Sequence, residues 1–511
     1  MSYSLDPFKS HFVLISSAAE SSFSKSLQEA HLLYVKNPSI EAHIVADQDA
    51  FAKQNKLIRL ADKAWKQSRQ PSLPCIEQAK TDCLPESIIL ADGRPRMPAF
   101  MVFVCVYIRG QLGGIKSKST QCFLEESTTF KNMCYNLGVK KPGASTIIDN
   151  LNIVSAETLN VIHKAQILNA LDESLDTFDE VAFDSTSVKG NVSWPTESNL
   201  LYLLVKRIYH MGSQLNKFNI IPMHERNFPK IIKDLNKIST KIALESGKPK
   251  CILKRKSDYN SMLGKSRSAK GKFDKEMVKI EAAITETEIK KIDILPSHKK
   301  RLLGVVAVIK GDIINLQKVI DSSTRRVMKG EKVATEDKVL SLSDADAAMI
   351  IKGGRDTVLG YKPQIGRSKN GFVSVLIVPE GNAADTGQLN AIIEKHVENT
   401  NVTPTIINVD DGYANKKVRE EWMKKGVEVF SISGAKGKRS ISDEEWESEA
   451  YIHARNDRSA VESIMYCLKF GYNLGRLMRR GLENVRNEMM EKILAYNFDR
   501  TVLLKQRQLS A

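Results

Sequence analysis

Three acids in this sequence stand where gathered negative charge could do chemistry: Asp184, Asp410 and Glu462. Asp184 ends the short β-like run Val181–Asp184, and Asp410 ends the run Thr405–Asp410. A strand is rigid and its end is open, so each position can present a carboxylate at a fixed place. Glu462 lies farther along, in a stretch that looks helical from Asp457 to Leu494. Hard divalent ions such as Mg²⁺ take oxygen ligands and keep several waters, so a few carboxylates from separate elements suffice to hold them. Two such ions about 3.5–4 Å apart neutralise and orient the attacking and leaving oxygens of a phosphodiester. Asp411, next to Asp410, is the competing ligand at the second position. Asp176, Asp179 and Glu180 read as a solvated acidic turn, and Asp385 as the opening of a helix.

The surroundings of Glu462 add to this. Arg455, Arg458, Glu462 and Lys469 recur at three, four and seven and so share one helical face, which Arg476 and Arg480 continue. Val461, Ile464 and Leu468 fall on the other side. A lone acid among cations is ordinarily a solvated ion-pair network. Here the apolar side faces a core and leaves the cations aligned with the carboxylate, as a phosphate backbone entering a metal site requires.

The elements that must position these residues follow from local pattern. After Val181–Asp184 comes an apolar helix over Ser198–Tyr209. Tyr361–Arg367 and Phe372–Val378 flank Asn370-Gly371, the strongest short hairpin signal. Then follow a helix over Asp385–Glu398, the strand ending at Asp410, a helix over Lys416–Lys425, a strand over Val427–Ile432 and the long C-terminal helix. Apart from an interruption after its first strand, this is the element order of an RNase H-like α/β domain: a mixed five-stranded sheet with flanking helices. Its first and fourth strands are neighbours, so Asp184 and Asp410 should converge.

The interruption differs in character. Ile221–Leu340 holds 28 Lys and Arg against 15 Asp and Glu, most of the net charge of +16 carried by the 511 residues. Gly247–Lys272 reads as a basic loop. Beyond it, Phe273, Met277, Ile280 and Ile284, then Leu302, Val305, Val306, Ile309, Ile313 and Leu316, have helical spacing and form an αα-hairpin. Lys254, Arg255 and Lys256 in that loop are candidate phosphate contacts, against the alternative of a helical brace whose charges are merely solvated. N-terminal to the first strand, Met97–Ile108 reads as a core helix begun by Pro98, and Ser155 as an N-cap with Glu157 in its first turn. Pro142-Gly143, after Lys140-Lys141, marks a break.

Several classes are disfavoured. Seven cysteines, Cys75, Cys83, Cys105, Cys122, Cys134, Cys251 and Cys467, include no Cys-x-x-Cys pair, which argues against a zinc ribbon or a disulfide scaffold and for free thiols. Met1–Ser10 lacks a basic region followed by an apolar run, and Ala99–Ile108 is too short to span a bilayer, so a cytoplasmic protein is expected. Gly353-Gly354 and Gly434–Gly437 lack a following Lys-Ser/Thr and make no phosphate-binding loop. The histidines, His210, His224 and His453 among them, show no metal-ligand spacing.

The residues also carry a family resemblance. Asn408-Val409-Asp410-Asp411-Gly412-Tyr413 resembles the Asp-x-Gly-Tyr signature of DDE-class transposases of bacterial insertion sequences, of the RNase H-like, retroviral-integrase superfamily. Arg458-x3-Glu462-x6-Lys469 resembles their Arg-x3-Glu-x6-Lys signature. Phe183-Asp184-Ser185-Thr186, with Asn191 and Pro195-Thr196-Glu197-Ser198, resembles the region of their first aspartate. Gly360-Tyr361-Lys362 and Gly381-Asn382-Ala383-Ala384-Asp385 are similar as well. Where some relatives have Tyr three residues before the Arg, this chain has Arg455. The resemblance implies that Asp184, Asp410 and Glu462 ligate two Mg²⁺ or Mn²⁺ ions, and that Arg458 and Lys469 contact DNA or steady the site. It further implies that the partners are terminal inverted repeats and target DNA, with a dimer or higher oligomer assembled on them. The domain division expected is a helical region over 1–175 for DNA binding or dimerisation and a first catalytic part over 176–212. A basic helical insertion over 213–345 and the rest of the catalytic domain over 346–511 follow. Two alternatives stand beside this reading: a domesticated DNA-binding protein without catalysis, and an RNase H-like nuclease or resolvase.

Overall fold

A computed structural model describes residues 22–68, 96–114, 127, 131, 135, 142–215, 228–284, 295–351 and 357–510. Met1–Ser10, Cys75, Cys83, Cys122, Cys134, Lys140, Lys141, His224 and Gly353-Gly354 lie outside them. The chain divides into two compact units. One comprises Met1–Phe51, Gly93–Val192 and Asp346–Ala511; the other comprises Ala52–Asp92 and Ser193–Ala345.

The first unit contains the sheet. Its strands are β1 (Glu180–Ser185), β5 (Gln364–Ser368), β6 (Val373–Ile377), β7 (Ile406–Val409) and β8 (Val429–Ile432), arranged in the order β6-β5-β1-β7-β8. β1 runs antiparallel to β5 and parallel to β7, and β7 runs parallel to β8. This is the RNase H-like mixed sheet, with the first and fourth strands side by side. β2 (Val188–Lys189), β3 (Ala348–Ile350) and β4 (Val358–Tyr361) form a small second sheet in the order β2-β4-β3. Tyr361 therefore belongs to β4, and the hairpin that includes Asn370-Gly371 is confined to β5 and β6. Only Gly371 in that turn has a positive φ, of 87°, and its amide donates to Ser368 O at 3.0 Å. Lys369, Asn370 and Gly371 thus form a three-residue loop, not a two-residue turn.

Helices cover both faces of the sheet, and alternation along the strands decides which residues meet which layer. Val181, Phe183, Ile407 and Val409 point to one face and pack with Leu389, Ile392 and Ile393 of α10 (Asp385–Thr400) and Trp422 of α11 (Lys416–Lys424). α14 (Glu449–Asp457) and α15 (Ser459–Gly471) pack on the sheet as well, α14 against β7 and β8 and α15 against β1 and β5. The last helix, α16 (Leu482–Ser510), packs with α1 (Ser22–Lys36), α3 (Ala99–Gln111) and α5 (Ala156–Asp172). The apolar α3 is buried from Ala99 to Gly110, with Pro98 at its N-cap as the sequence indicates. A Cβ on Gly110 would lie 2.0 Å from Glu491 O, so glycine lets α3 and α16 approach. Ser155 caps α5 by accepting the Thr158 amide, again as its sequence predicts. Cys105, Cys251 and Cys467 are free thiols. No helix among the described residues is long and apolar enough to cross a membrane.

The second unit holds α6 (Glu197–Leu215), α7 (Phe228–Leu244), α8 (Ile252–Ala283) and α9 (Pro296–Ser323), packed around one core. It takes in Ser193–Ala345 where 213–345 was expected, since α6 shares this core from Leu200 onward. The expected basic loop over Gly247–Lys272 is corrected: most of it is α8, so Lys254, Arg255 and Lys256 sit in a helix. The buried stripe of α8 is Tyr259, Met262, Leu263, Ser266, Ala269, Phe273, Met277 and Ile280. Small residues at Ser266 and Ala269 weaken its apolar signal, and Gly264 and Gly271 add to the appearance of a loop. Phe273 stacks on Phe228 of α7 with ring centroids 4.7 Å apart.

Two further readings change. Asp176 is buried, not solvated. Its carboxylate accepts from Ser368 Oγ at 2.6 Å and from the Asn370 and Phe178 amides at 2.9 and 3.0 Å, which ties the hairpin to the start of β1. The single C-terminal helix is also broken: α14, α15 and α16 are separate, and residues 472–481 between the last two are not helical.

Two buried imidazoles make the first unit sensitive to acid. His396 is enclosed, with its ring nitrogens 2.8 Å from Ser374 Oγ and 3.0 Å from Phe178 O, and His163 lies 2.8 Å from Val373 O. Burial pushes both down to about 4 from the ordinary 6.5. The unfolded chain therefore binds more protons between these values. Stability is fully present above about pH 6.5 and falls as pH drops towards about 4, by about 3 kcal/mol per histidine at the limit. Denaturant midpoints should decline across this window, and His396→Asn should flatten the decline; parallel pH profiles for the two proteins would contradict the assignment.

Candidate active site

Pairing of β1 with β7 places the first two acids. Phe183 is in register with Val409, so Asp184 and Asp410 leave adjacent parallel strands at the same level. Phe183 and Val409 face the core under α10, and alternation turns the next residue of each strand to the opposite side. Asp184 is mostly buried, and its Oδ1 accepts the Ser185 amide at 2.7 Å. Asp410 caps a single 3₁₀ turn, Asp411–Tyr413, with Oδ1 accepting the Gly412 amide at 2.9 Å.

Glycine at 412 follows from this crowding. A Cβ there would lie 3.0 Å from Asp410 Oδ1 and 3.4 Å from Asp385 Oδ2. Tyr413 is fully enclosed, and its hydroxyl donates to Gln364 Oε1. Burial raises this phenol well above its ordinary range, and the carboxylates of Asp385, Asp184 and Asp410 raise it further. The hydroxyl therefore keeps its proton and acts as a donor beneath three aspartates.

Asp411 has a different task. Its Oδ1 accepts the amides of Lys436 at 2.7 Å and Gly437 at 3.1 Å, at the start of α12 (Ala435–Ser440). Its carboxylate is committed to a helix end, where backbone N–H groups lack partners.

Glu462 stands in the first turn of α15 with its side chain 68% exposed. Arg458, at the N-cap of α15, reaches both acids: Nη1 lies 3.8 Å from Asp184 Oδ2, and Nη2 lies 3.4 Å from Glu462 Oε1. One guanidinium thus bridges the strand acid and the helix acid. Among the described residues, no three His, Cys, Asp or Glu side chains lie close enough to hold an ion as they stand.

Lys362, Gln364 and Asp385 were not recognised as parts of the site from sequence. Lys362 Nζ pairs with Asp385 Oδ1 at 2.8 Å and donates to Ala383 O at 3.2 Å; Gln364 Nε2 also donates to Asp385 Oδ1, at 2.8 Å. Asp385 does open α10, as expected, but its carboxylate also belongs to the network around Tyr413. The signal was present as two short segments, Gly360-Tyr361-Lys362 and Gly381–Asp385, to which no role could be attached.

The cationic residues divide. Arg455 lies on α14 with its guanidinium 4.3 Å from the Trp446 ring centroid, and Lys469 lies in the last turn of α15. Arg476 and Arg480 do not continue a helical face, because both belong to the non-helical 472–481 segment; Arg476 bridges to Lys189, and Arg480 Nε donates to Asn191 O at 2.8 Å. Buried charges anchor that segment. Glu488 accepts the amides of Met478 and Arg479 at 3.0 and 2.7 Å and pairs with Lys492 at 2.7 Å. Glu491 pairs with Arg109 and Arg479. Burial opposes ionisation of Glu491, but the two guanidinia outweigh it and hold the carboxyl below its ordinary value. Lys254 is paired with Glu245 at 2.6 Å in the other unit, and Arg255 and Lys256 follow it in α8.

Residues 317–498 match a family model described as Transposase DDE domain. The match takes in Asp410 and Glu462 but not Asp184, whose place rests on the β1–β7 register. No curated protein and no solved structure matches the chain.

Asp411→Ala removes the acceptor of two helix-end amides and should lower stability by about 1–2 kcal/mol, read as a shifted denaturation midpoint. DNA cleavage per folded molecule should survive; its abolition in folded protein would exchange the roles of Asp410 and Asp411.

Proposed function

We propose that this chain, a DDE-class transposase by the domain it carries, cleaves DNA at the terminal inverted repeats of a bacterial insertion sequence and joins the freed ends to target DNA. The observation that carries this reading is the β1–β7 register, which brings Asp184 and Asp410 to one end of the sheet beneath the helix that bears Glu462. The donor set is oxygen only and hard, which fits Mg²⁺ or Mn²⁺, and these three carboxylates are the residues that would hold two such ions. Bound there, such ions would supply charge neutralisation for phosphodiester exchange.

The remaining residues position and balance. Arg458 offsets the charges of Asp184 and Glu462 and is placed to meet a phosphate beside them. Tyr413 and Gln364 hold the floor of the site, and the Lys362–Asp385 pair fixes Gln364. Direct in-line transfer needs no covalent protein–DNA intermediate, so neither Tyr413 nor Ser185 is assigned the part of a nucleophile. Lys469, Arg455, Arg476 and Arg480 contribute positive charge along the DNA path. The α-helical segment over 213–345 grips phosphates through its basic face, region 1–175 supports DNA binding or dimerisation, and the working form is a dimer or larger assembly on DNA in the bacterial nucleoid.

Asp184→Asn, Asp410→Asn and Glu462→Gln keep side-chain shape and remove one negative charge each. All three should bind element ends and abolish both cleavage and joining in Mg²⁺, measured with the DNA that flanks the reading frame. A Glu462→Gln protein cutting near the wild-type rate would remove Glu462 from the ligand set, and wild-type cleavage without a joined product would indicate a nuclease.

For the basic helix, combined replacement of Lys254, Arg255 and Lys256 by Ala should reduce the salt slope of log K by about 0.9 for each phosphate that is no longer neutralised. Binding to unrelated DNA should weaken as well; an unchanged slope would rule out this end of α8 as a phosphate clamp.

A further inference from the structure

α15 buries Val461, Ile464, Met465 and Leu468 and turns Glu462, Tyr466 and Phe470 outward at intervals of four residues. Tyr466 is 64% exposed and Phe470 is 72% exposed. Their ring centroids are 4.5 Å apart with the planes inclined by 41°, so the two rings form one continuous apolar ledge. The ledge begins one helical turn beyond Glu462, about 6 Å along the axis. The helix needs neither ring for its own packing, because its apolar contacts are made on the opposite side.

Charge along the chain through and beyond the ledge narrows the choice of occupant. From Ser463 to Leu482 there is no Asp or Glu, while Lys469, Arg476, Arg479 and Arg480 all fall in that stretch. Arg479 is engaged by the buried Glu491, whereas Arg476 and Arg480 are partly exposed. A ligand that suits such a surface has flat apolar faces and carries negative charge. Nucleic acid has both, and each base offers a π-face to an aromatic side chain. In an intact duplex those faces are covered by neighbouring base pairs, so the rings can reach only bases that are unpaired. A second copy of this chain is a poorer fit. Two rings bury at most a few hundred Å², well below the roughly 800 Å² per partner of a stable interface.

We propose that Tyr466 and Phe470 stack on unpaired nucleobases of the DNA strand whose phosphate lies at Glu462. The inference rests on the transposase reading above and adds a substrate feature to it: the DNA end is read with its terminal bases separated.

The test measures binding of the full chain with Mg²⁺ and Mn²⁺ omitted, so that cutting plays no part. The probes are a blunt duplex, the same duplex with a short single-stranded tail, and the tailed form with 2-aminopurine in the tail. Wild type should prefer the tailed duplex and change the 2-aminopurine emission on binding. The double variant Tyr466→Ala with Phe470→Ala should lose about tenfold in affinity for the tailed probe and abolish the emission change, while blunt-duplex affinity stays within about twofold. Tyr466→Trp should retain the tail preference. Equal losses on both probes, or no tail preference in wild type, would overturn the ledge. Sedimentation showing a wild-type dimer that the double variant dissolves would assign the rings to a second copy and overturn it as well. Failure of wild type to bind any DNA would sink the transposase reading, and the ledge with it.

Discussion

Carboxylates brought to one end of a sheet repel one another, and much of the neighbouring structure balances or directs that repulsion. Asp184 and Asp410 leave neighbouring parallel strands at one level, and Asp385 approaches Gly412 from α10. Cations meet them from two directions: Arg458 bridges Asp184 and Glu462, and Lys362 pairs with Asp385. Beneath them the phenol of Tyr413 is kept protonated by burial and by the same three aspartates. Lys362 and Asp385 are both largely buried, so removing Lys362 would leave the Asp385 carboxylate uncompensated in a place with little water, which is costly.

Holding this end of the sheet rigid requires support from elsewhere in the same unit. The hairpin of β5 and β6 is fastened by the buried Asp176, and α10 is tied to β6 and to the start of β1 through His396, whose ring meets Ser374 and Phe178. The α16 helix carries Glu488, Glu491 and Lys492 in full burial, which is expensive unless every charge is paired. Here each is, to Arg109, Arg479 or backbone of the 472–481 segment. The non-helical segment that presents Arg476 and Arg480 is therefore fixed by buried ion pairs and amide contacts. The helical N-terminal layer, through Arg109 on α3, takes part in placing it.

Much of the sheet was legible because its determinants are local. A short apolar, β-like run ending in an acid marks both β1 and β7, and Asn370-Gly371 marks the hairpin. The convergence of Asp184 and Asp410 follows once the element order is recognised. What escaped depends on partners distant in sequence. Asp176 looks like any acid in a turn until the hairpin folds over it. The helix α8 hides its periodicity behind Ser266 and Ala269, which are buried because α6, α7 and α9 approach closely. The break after Gly471 has a local signal in Gly471, Asn473, Gly475 and Gly481, which weaken a helix, but the apolar and basic spacing around them matches a helical face. Its backbone instead finds partners in Glu488 and Lys492, which lie beyond any local window. Lys362 and Asp385 are 23 residues apart and meet only when β4 and α10 are in place.

The central claim is that Asp184, Asp410 and Glu462 form one divalent-ion site despite coming from two strands and a helix. Titration of the DNA-bound chain with Mn²⁺, followed by the electron paramagnetic resonance signal of free ion, tests it without reference to turnover. Wild type should take up about two ions per active site. Asp184→Asn combined with Asp410→Asn should take up at least one fewer at the same free Mn²⁺ while still binding DNA. Uptake indistinguishable from wild type would contradict the account.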